Sequence, residues 1–209
     1  MRTNILTSDA QAQLTPDTVL SNLKAGNSNY TAANLTAVDI NDLRAASVYG
    51  QAPKAIVLSC IDSRVVVEEV FDQALGDIFV ARVAGNFVNT DIVASMEYAC
   101  KVAGSKLIVV LGHEGCGAVK AACDGVELGN ITSLLSNIQP AVDAVKPTVE
   151  APYNSANTAF VNAAIAENVN HTIGEIKSMS PILAEMEAAG EIAIKGGVYQ
   201  LASGAVAWL

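Results

Sequence analysis

The stretch AIVLSCIDSR, Ala55 to Arg64, joins a continuous apolar run to a thiol, a carboxylate and a guanidinium. A short aliphatic run without alternation is typical of a strand that is buried on both faces of a sheet. Asp62 and Arg64 are costly to place beside such a strand unless each side chain has a partner. The stretch therefore predicts a buried strand whose carboxyl end opens into a functional site.

Two further runs of the same kind occur, DIFVARVAG at residues 77–85 and KLIVVLGH at residues 106–113. Helical patterns separate the three runs, and the last 20 residues, GEIAIKGGVYQLASGAVAWL, predict two short strands joined by a glycine-containing turn. Apolar strands that alternate with helices favour a parallel sheet covered on both faces. We therefore predict an α/β fold with a mostly parallel four-stranded central sheet, a C-terminal antiparallel strand and flanking helices.

The N-terminal region predicts helices rather than strands. The segment TPDTVLSNLKAGN, residues 15–27, has Thr15 as an N-cap, apolar residues on one face and Gly26 as a stop. A second, shorter helical segment lies near residues 38–46. This region carries little chemistry of its own.

The length of 209 residues fits one hydrophobic core. Two longer helical stretches, about residues 131–145 and 158–179, follow the central strands, and no linker or repeat interrupts them. We predict a single domain over residues 1–209. Within it, residues 1–50 form an N-terminal helical arm that reaches a partner, and residues 51–209 form the α/β core.

Composition limits the partners and the location. The formal net charge of -9 argues against binding to nucleic acid or to an anionic membrane surface, because either polyanion would be repelled. No apolar run approaches the roughly 18 residues that span a bilayer, and the N-terminus lacks the features of a signal peptide. We expect a cytoplasmic location, or a periplasmic one if a leader has been removed.

Reactive side chains follow two of the predicted strands. Cys60 and Asp62 follow the first, while His113 and Cys116 end the third as an H-x-x-C pattern. Carboxyl ends of parallel strands lie at one edge of a sheet, so these two strand ends could converge. Two thiolates, an imidazole and a carboxylate form a soft ligand set that suits tetrahedral zinc far better than magnesium or calcium.

Four protein ligands would close the site, whereas a catalytic zinc ion keeps one position for water. Arg64 lies two residues after Asp62 and can hold that carboxylate off the metal as a charge-assisted pair. This pairing leaves Cys60, His113 and Cys116 as the protein ligands and a water in the fourth position. Asp62 is then a ligand in a closed state only. Once detached, the carboxylate can accept a hydrogen bond from the water and orient it, so we assign Asp62 and Arg64 as a catalytic dyad.

Other interpretations of these residues stay open at this point. Buried cysteines are usually inert core residues, and a structural zinc module would keep Asp62 on the metal permanently. A nucleotide-binding domain is disfavoured because Gly112, Gly115 and Gly117 do not give G-x-G-x-x-G. A thiol phosphatase would need an arginine six residues after the cysteine, where Val66 stands.

The sequence resembles the β-class carbonic anhydrases. The resemblance rests on CIDSR (residues 60–64) and GHEGCG (112–117), with EYA, SPIL and VAWL elsewhere, so it covers nearly the whole chain after the N-terminal arm. It implies Zn²⁺ as cofactor, with Cys60, His113 and Cys116 as permanent ligands. It also implies reversible hydration of carbon dioxide to bicarbonate and a proton by a zinc-bound hydroxide, gated by the Asp-Arg dyad.

The resemblance implies a substrate pocket as well. Gln51 stands in the place of a glutamine that hydrogen-bonds substrate, and Phe79, Ala84 and Tyr98 correspond to the apolar pocket. In this family Phe79 and Tyr98 would reach the site of the neighbouring subunit. The implied assembly is therefore a homodimer, often paired again into a homotetramer.

Four positions depart from the family pattern or have an unassigned role. One branch of the family has an inhibitory bicarbonate site with a tryptophan three residues before the first cysteine, where Val57 stands here. We expect that regulatory site to be absent, although Arg82 matches its arginine. Arg82 is expected to pair with a carboxylate across an interface or to face solvent. Glu114 is expected to face solvent, and Cys100 to be a buried thiol.

Overall fold

The computed structural model describes residues 1–209. Its centre is one sheet with the strand order β2-β1-β3-β4-β5. The strands are β1 (Ala55–Ser59), β2 (Ile78–Arg82), β3 (Leu107–His113), β4 (Ala193–Tyr199) and β5 (Val206–Trp208). The first four are parallel, and β5 pairs antiparallel with β4. The α/β prediction is confirmed, and with its C-terminal antiparallel strand the complete sheet contains five strands rather than four.

The register of the central strands brings the functional segments together. Ser59, the last residue of β1, lies beside Arg82 of β2 and Leu111 of β3. The strand β3 continues two residues further and ends at His113. The segment that begins at Cys60 therefore leaves the sheet between the ends of its two neighbours, at the edge where the sequence predicts the site.

Both faces of the sheet are covered, which explains why β1 and β3 are apolar without alternation. Leu58 and Val110 pack on one face with residues of the helices Thr158–Met179 and Pro181–Ala188. Val57 and Val109 pack on the opposite face with residues of the helices Pro16–Thr31 and Val67–Val70. Successive residues of a strand point to opposite faces, so every position of these two strands enters a core.

Ten α-helices surround the sheet. They are α1 (Ser8–Ala12), α2 (Pro16–Thr31), α3 (Ile40–Ala46), α4 (Val67–Val70), α5 (Thr90–Glu97), α6 (Gly117–Cys123), α7 (Gly129–Ser136), α8 (Gln139–Val145), α9 (Thr158–Met179) and α10 (Pro181–Ala188). A π-helical turn, Tyr98–Val102, continues α5, and a 3₁₀ turn, Lys146–Thr148, follows α8. None of these helices combines the length and the apolar character needed to cross a bilayer.

Two helices differ from the sequence-based expectation. Thr15 caps α2 as predicted, because its hydroxyl accepts the N–H of Thr18 at 3.2 Å, but the helix continues through Gly26 instead of ending there. The predicted helix over residues 131–145 is divided into α7 and α8. Pro140 stands in the first turn of α8, where its missing N–H is tolerated, and so it begins a new helix.

The helix α2 packs closely on the rest of its own chain. Val19 and Leu23 are fully buried in the core that also contains β1 and β3. The buried side chain of Asn27 donates to the carbonyls of Val70 and Gly204 at 3.0 and 2.9 Å. The middle of the predicted N-terminal arm is thus bound to both α4 and the turn between β4 and β5.

Gly26 permits this close approach, and its replacement should be destabilising. A Cβ at this position would lie 1.8 Å from the backbone carbonyl oxygen of Phe71, which cannot move aside as a side chain can. We expect Gly26→Ala to lower the free energy of unfolding by about 1–3 kcal/mol, as overpacking typically does. Chemical denaturation of the purified variant measures this change.

Gly174 in α9 provides the matched control, because a Cβ there would meet no atom within 4 Å. In an exposed helix interior, Gly174→Ala should raise the free energy of unfolding by about 0.5–1 kcal/mol. Equal effects of the two substitutions would contradict the packing of α2 against Phe71.

Candidate metal centre

Three buried side chains meet at the carboxyl edge of the sheet. Cys60 directly follows β1, His113 ends β3, and Cys116 directly precedes α6. The two Sγ atoms are 4.0 Å apart, and all three potential ligand atoms lie within 4.8 Å of one another. The structure therefore brings together the three residues that the sequence analysis selects as permanent ligands.

His113 is oriented for coordination. Its side chain is completely buried, and Nδ1 lies 2.8 Å from the carbonyl oxygen of Glu114, a contact that fixes the ring. The other ring nitrogen, Nε2, has no hydrogen-bond partner although it is buried. A buried polar atom without a partner is unfavourable, and a metal ion would provide the missing interaction.

The spacing of the sulfurs fits zinc. Tetrahedral coordination with Zn–S bonds of about 2.3 Å would hold two sulfurs about 3.8 Å apart. The observed Sγ–Sγ distance of 4.0 Å is close to this value. Two thiolates and one imidazole also form a donor set that zinc prefers.

The three groups perturb one another strongly. The hydrogen bond between the thiols lowers the pKa of Cys60 to about 4 and raises that of Cys116, because the pair shares one proton. Burial opposes a charge on His113, but the neighbouring Cys60 thiolate outweighs it and raises the pKa of His113. Metal binding at this site would therefore release protons.

Asp62 and Arg64 form a bidentate ion pair at the mouth of the cluster. Arg64 Nε donates to Asp62 Oδ1 at 2.9 Å, and Arg64 Nη2 donates to Oδ2 at 2.7 Å. The backbone N–H of Arg64 also donates to Oδ1. The guanidinium hydrogen bonds hold the pKa of Asp62 well below its usual range. Oδ2 lies 3.8 Å from Nε2 of His113, so the carboxylate borders the cluster while it is paired with Arg64.

Arg82 donates hydrogen bonds to the backbone of residues 60–64, a contact that the sequence analysis did not predict. Its Nε donates to the carbonyl oxygen of Cys60 at 2.8 Å, and its Nη2 donates to that of Asp62 at 2.6 Å. Arg82 is exposed, as one of the two expected alternatives states, and its guanidinium also donates to two backbone carbonyls of its own chain. The signal available in the sequence is an arginine at the end of the strand that neighbours β1. Arg82 therefore ties the end of β2 to the segment that carries the first ligand and the dyad.

Glu114 also has a role within the chain. Its carboxylate accepts the N–H of Leu201 at 3.1 Å, and its own N–H donates to the carbonyl of Tyr199 at 3.0 Å. The expectation that Glu114 faces solvent is therefore incomplete. The residue links the segment after β3 to the turn between β4 and β5.

The residues assigned to the substrate pocket do not all meet within one chain. Phe79 and Tyr98 form an edge-to-face pair at 6.3 Å and line an apolar cavity of about 550 Å³ beside β2. Phe79 lies opposite Ile56, four residues before Cys60, which is about 13 Å along a strand. Gln51 lines a different cavity, next to the N-terminal residues. Ala84 is half-buried in the segment after β2.

The other free thiols are separate from the cluster. Cys100 and Cys123 are both buried and unpaired. Burial raises the pKa of Cys100 to about 12 and that of Cys123 to about 11. Both thiols are therefore protonated at neutral pH, as expected of inert core cysteines.

Known proteins share this sequence over most of its length. A family model described as carbonic anhydrase matches residues 55–206, which include every residue of the cluster and the dyad. The carbonic anhydrase of Mycolicibacterium smegmatis is 38% identical over 185 residues, which cover 88% of each protein. Carbonic anhydrase 2 of Mycobacterium tuberculosis is 36% identical over 183 residues, which cover 87% of each.

The fold agrees with these similarities. A tetrameric β-carbonic anhydrase from Sordaria macrospora is 24% identical and superposes with a TM-score of 0.73, covering 91% of this chain and 94% of that one. A β-carbonic anhydrase from Coccomyxa superposes with a TM-score of 0.69, covering 92% of this chain and 82% of that one. From the family match, the level of identity and the shared fold, the chain belongs to the β-class carbonic anhydrases, a family of lyases that hydrate carbon dioxide.

Proposed function

We propose that this chain is a zinc-dependent enzyme that reversibly hydrates carbon dioxide to bicarbonate and a proton. The observation that carries the proposal is the buried cluster of Cys60, His113 and Cys116, whose ligand atoms lie within 4.8 Å of one another. The buried Nε2 without a partner supports the same interpretation. Family membership supplies the reaction, and the cluster supplies a place for the metal that the reaction needs.

The three residues would hold Zn²⁺ and leave its fourth position free. Zinc in such a site lowers the pKa of a bound water towards about 7 and so supplies a nucleophile near neutral pH. The protein contributes a dry, preformed ligand set, since Cys60, His113 and Cys116 are each at most 4% exposed. Arg82 and Glu114 fix the segments on which the ligands lie.

Asp62 and Arg64 would control access to the fourth position. The ion pair keeps the Asp62 carboxylate ionised and bound to Arg64 at the border of the cluster, with the Asp62 side chain 16% exposed. In this position the carboxylate can accept a hydrogen bond from the attacking water and orient it. Rotation away from Arg64 would bring Asp62 into the fourth position and close the site. The dyad thereby gates the reaction.

The substrate pocket is proposed to be shared between two copies of the chain. Phe79 is part of the outer strand β2 and pairs with Tyr98, and the cavity that they line is apolar, as suits a small nonpolar substrate. The separation of Phe79 from Cys60 along the sheet supports a contribution to a partner's site rather than to its own. Gln51 and Ala84 are proposed to complete this pocket. The minimal active unit would be a homodimer, which can pair again into a homotetramer.

A stopped-flow assay of carbon dioxide hydration tests the proposal. The zinc-loaded protein should accelerate hydration well above background, and removal of the metal with a chelator should abolish the acceleration until zinc is returned. Two thiolate ligands donate more charge to zinc than imidazoles would, so the activity should rise on the alkaline side. The midpoint of the pH–rate profile measures this effect.

The same preparation provides the controls. The chelated protein, dialysed and assayed without added zinc, measures any contribution that does not depend on metal. Absence of hydration at every pH would contradict the enzyme assignment and favour a structural zinc module. Light scattering gives the mass of the active species, and full activity at the mass of a single chain would contradict the shared pocket.

A further inference from the structure

The sulfur of Cys60 receives a hydrogen bond from the turn that follows β2. The N–H of Gly85 donates to Cys60 Sγ at 3.3 Å, and the turn is closed by the N–H of Asn86, which donates to the carbonyl of Val83. Gly85 has φ +82°, and a Cβ there would lie 2.4 Å from Cδ1 of Ile138. The peptide that faces the sulfur is therefore in a conformation that glycine adopts without strain.

A buried asparagine of α9 holds the other side of this glycine. The Asn168 side chain donates through Nδ2 to the carbonyl oxygen of Gly85 at 2.8 Å, and the residue is only 1% exposed. Thr172, one helical turn later, contacts the carbonyl of Asn86 at a longer distance of 3.4 Å. The glycine is thus bound to the thiol on one side and to α9 on the other.

The position of Asn168 is unfavourable for stability alone. Its neighbours on α9, Ile165 and Val169, are core residues, and its own Oδ1 is buried without a partner. Burial of an amide with an unpaired acceptor costs free energy that an apolar side chain of similar size would not. A residue that is unfavourable in the core but contacts a turn that donates a hydrogen bond to a candidate metal ligand is itself a candidate for a functional role.

We propose that Asn168 is a positioning residue for the metal centre, because it fixes the Gly85 turn so that the Gly85 N–H points at the sulfur of Cys60. This inference rests on the proposed function, since it takes Cys60 as a metal ligand. An N–H directed at a thiolate withdraws charge from the sulfur and reduces its donation to the metal. Asn168 therefore acts through Gly85 and sets both the affinity and the electronic character of the site.

Cobalt substitution of the zinc site provides the test. A cobalt-substituted protein with cysteine ligands shows a thiolate-to-cobalt charge-transfer band whose energy reports how strongly the sulfur is hydrogen-bonded. In Asn168→Leu, which keeps the size of the side chain and removes the donor, we expect this band to move to lower energy. The dissociation constant for zinc, measured by competition with a chromophoric chelator, should rise by about 10- to 100-fold, because the sulfur is no longer held in place and loses a hydrogen bond that favours its ionised form.

A second variant and a control separate positioning from folding. Asn168→Ala also removes the donor but leaves space, so it should shift the band in the same direction. If Asn168→Leu folds poorly, the alanine variant still tests the inference. Asn27→Leu removes another buried asparagine, which ties α2 to the carbonyls of Val70 and Gly204. It should lower stability and leave both the band and the zinc affinity unchanged.

The outcomes distinguish the inference from the function on which it rests. If the native protein binds neither zinc nor cobalt, the proposed function fails. If it binds both, and the Asn168 variants keep the native band energy and zinc affinity, the positioning role is wrong. An equal shift in Asn27→Leu would also overturn it, because the change would then follow from general loosening of the fold.

Discussion

Replacement of Cys116 by serine is expected to abolish carbon dioxide hydration. The variant leaves only one sulfur and His113 to hold the metal, and the serine hydroxyl does not ionise near neutral pH as a zinc-bound thiol does. Cys116 is 1% exposed and its Sγ lies 4.0 Å from that of Cys60, so no other cysteine can take its place without rearrangement of the backbone. Stopped-flow hydration should fall to the uncatalysed background, and elemental analysis should show little zinc.

Cys123 provides the matched control, since it is another buried thiol and is the last residue of α6, the helix that Cys116 directly precedes. Cys123→Ser should lower stability slightly and retain both zinc and activity. Full activity in the Cys116 variant would exclude that residue as a ligand. Equal losses in both variants would indicate unfolding rather than metal loss, and circular dichroism decides between these cases.

Replacement of Asp62 by asparagine is expected to slow hydration without loss of zinc. The amide keeps the shape of the side chain but removes the charge that pairs with Arg64 and that can accept a proton in a hydrogen bond. A positioned acid–base group typically contributes about 10²- to 10⁴-fold to the rate, so a loss of about a hundredfold or more is expected. Stopped-flow assays of the zinc-loaded variant, with zinc content measured on the same sample, test this.

A surface ion pair elsewhere serves as the control. Asp143 pairs with Lys146 at 2.7 Å in an exposed position, far along the chain from the dyad. Asp143→Asn should leave hydration unchanged. A native rate in Asp62→Asn would remove the dyad from the mechanism while leaving the metal assignment intact. Loss of zinc from this variant would instead make Asp62 a resident ligand.

The fold was predictable wherever local pattern determines structure. The unbroken apolar runs of β1 and β3 predicted a sheet covered on both faces, and the described cores on the two faces explain that pattern. The length of α9 was also predictable from its sequence. Gly26 was misinterpreted as a helix end. A glycine is required at this position because any Cβ would collide with the carbonyl oxygen of Phe71, and such a contact between residues far apart in sequence is not visible in the local pattern.

The site was predictable to a similar extent. The motifs around Cys60 and His113 identified the cluster, since reactive side chains at neighbouring strand ends must lie close together. The residues that support the cluster were missed, because Arg82 acts on backbone carbonyls and Gly85 acts through its own N–H. One signal was available: Asn168 interrupts the apolar stripe of α9, and polar residues in such a stripe need partners in the core.

The terminal position of β2 has a consequence for the isolated chain. Its outer backbone groups find no partner within the sheet, and the apolar cavity of Phe79 and Tyr98 lies beside them. An unpaired edge next to apolar side chains is a template for uncontrolled strand addition. A chain that has not paired with a second copy would therefore expose this edge to strand addition by other chains. Association with a second copy would protect solubility as well as serve catalysis.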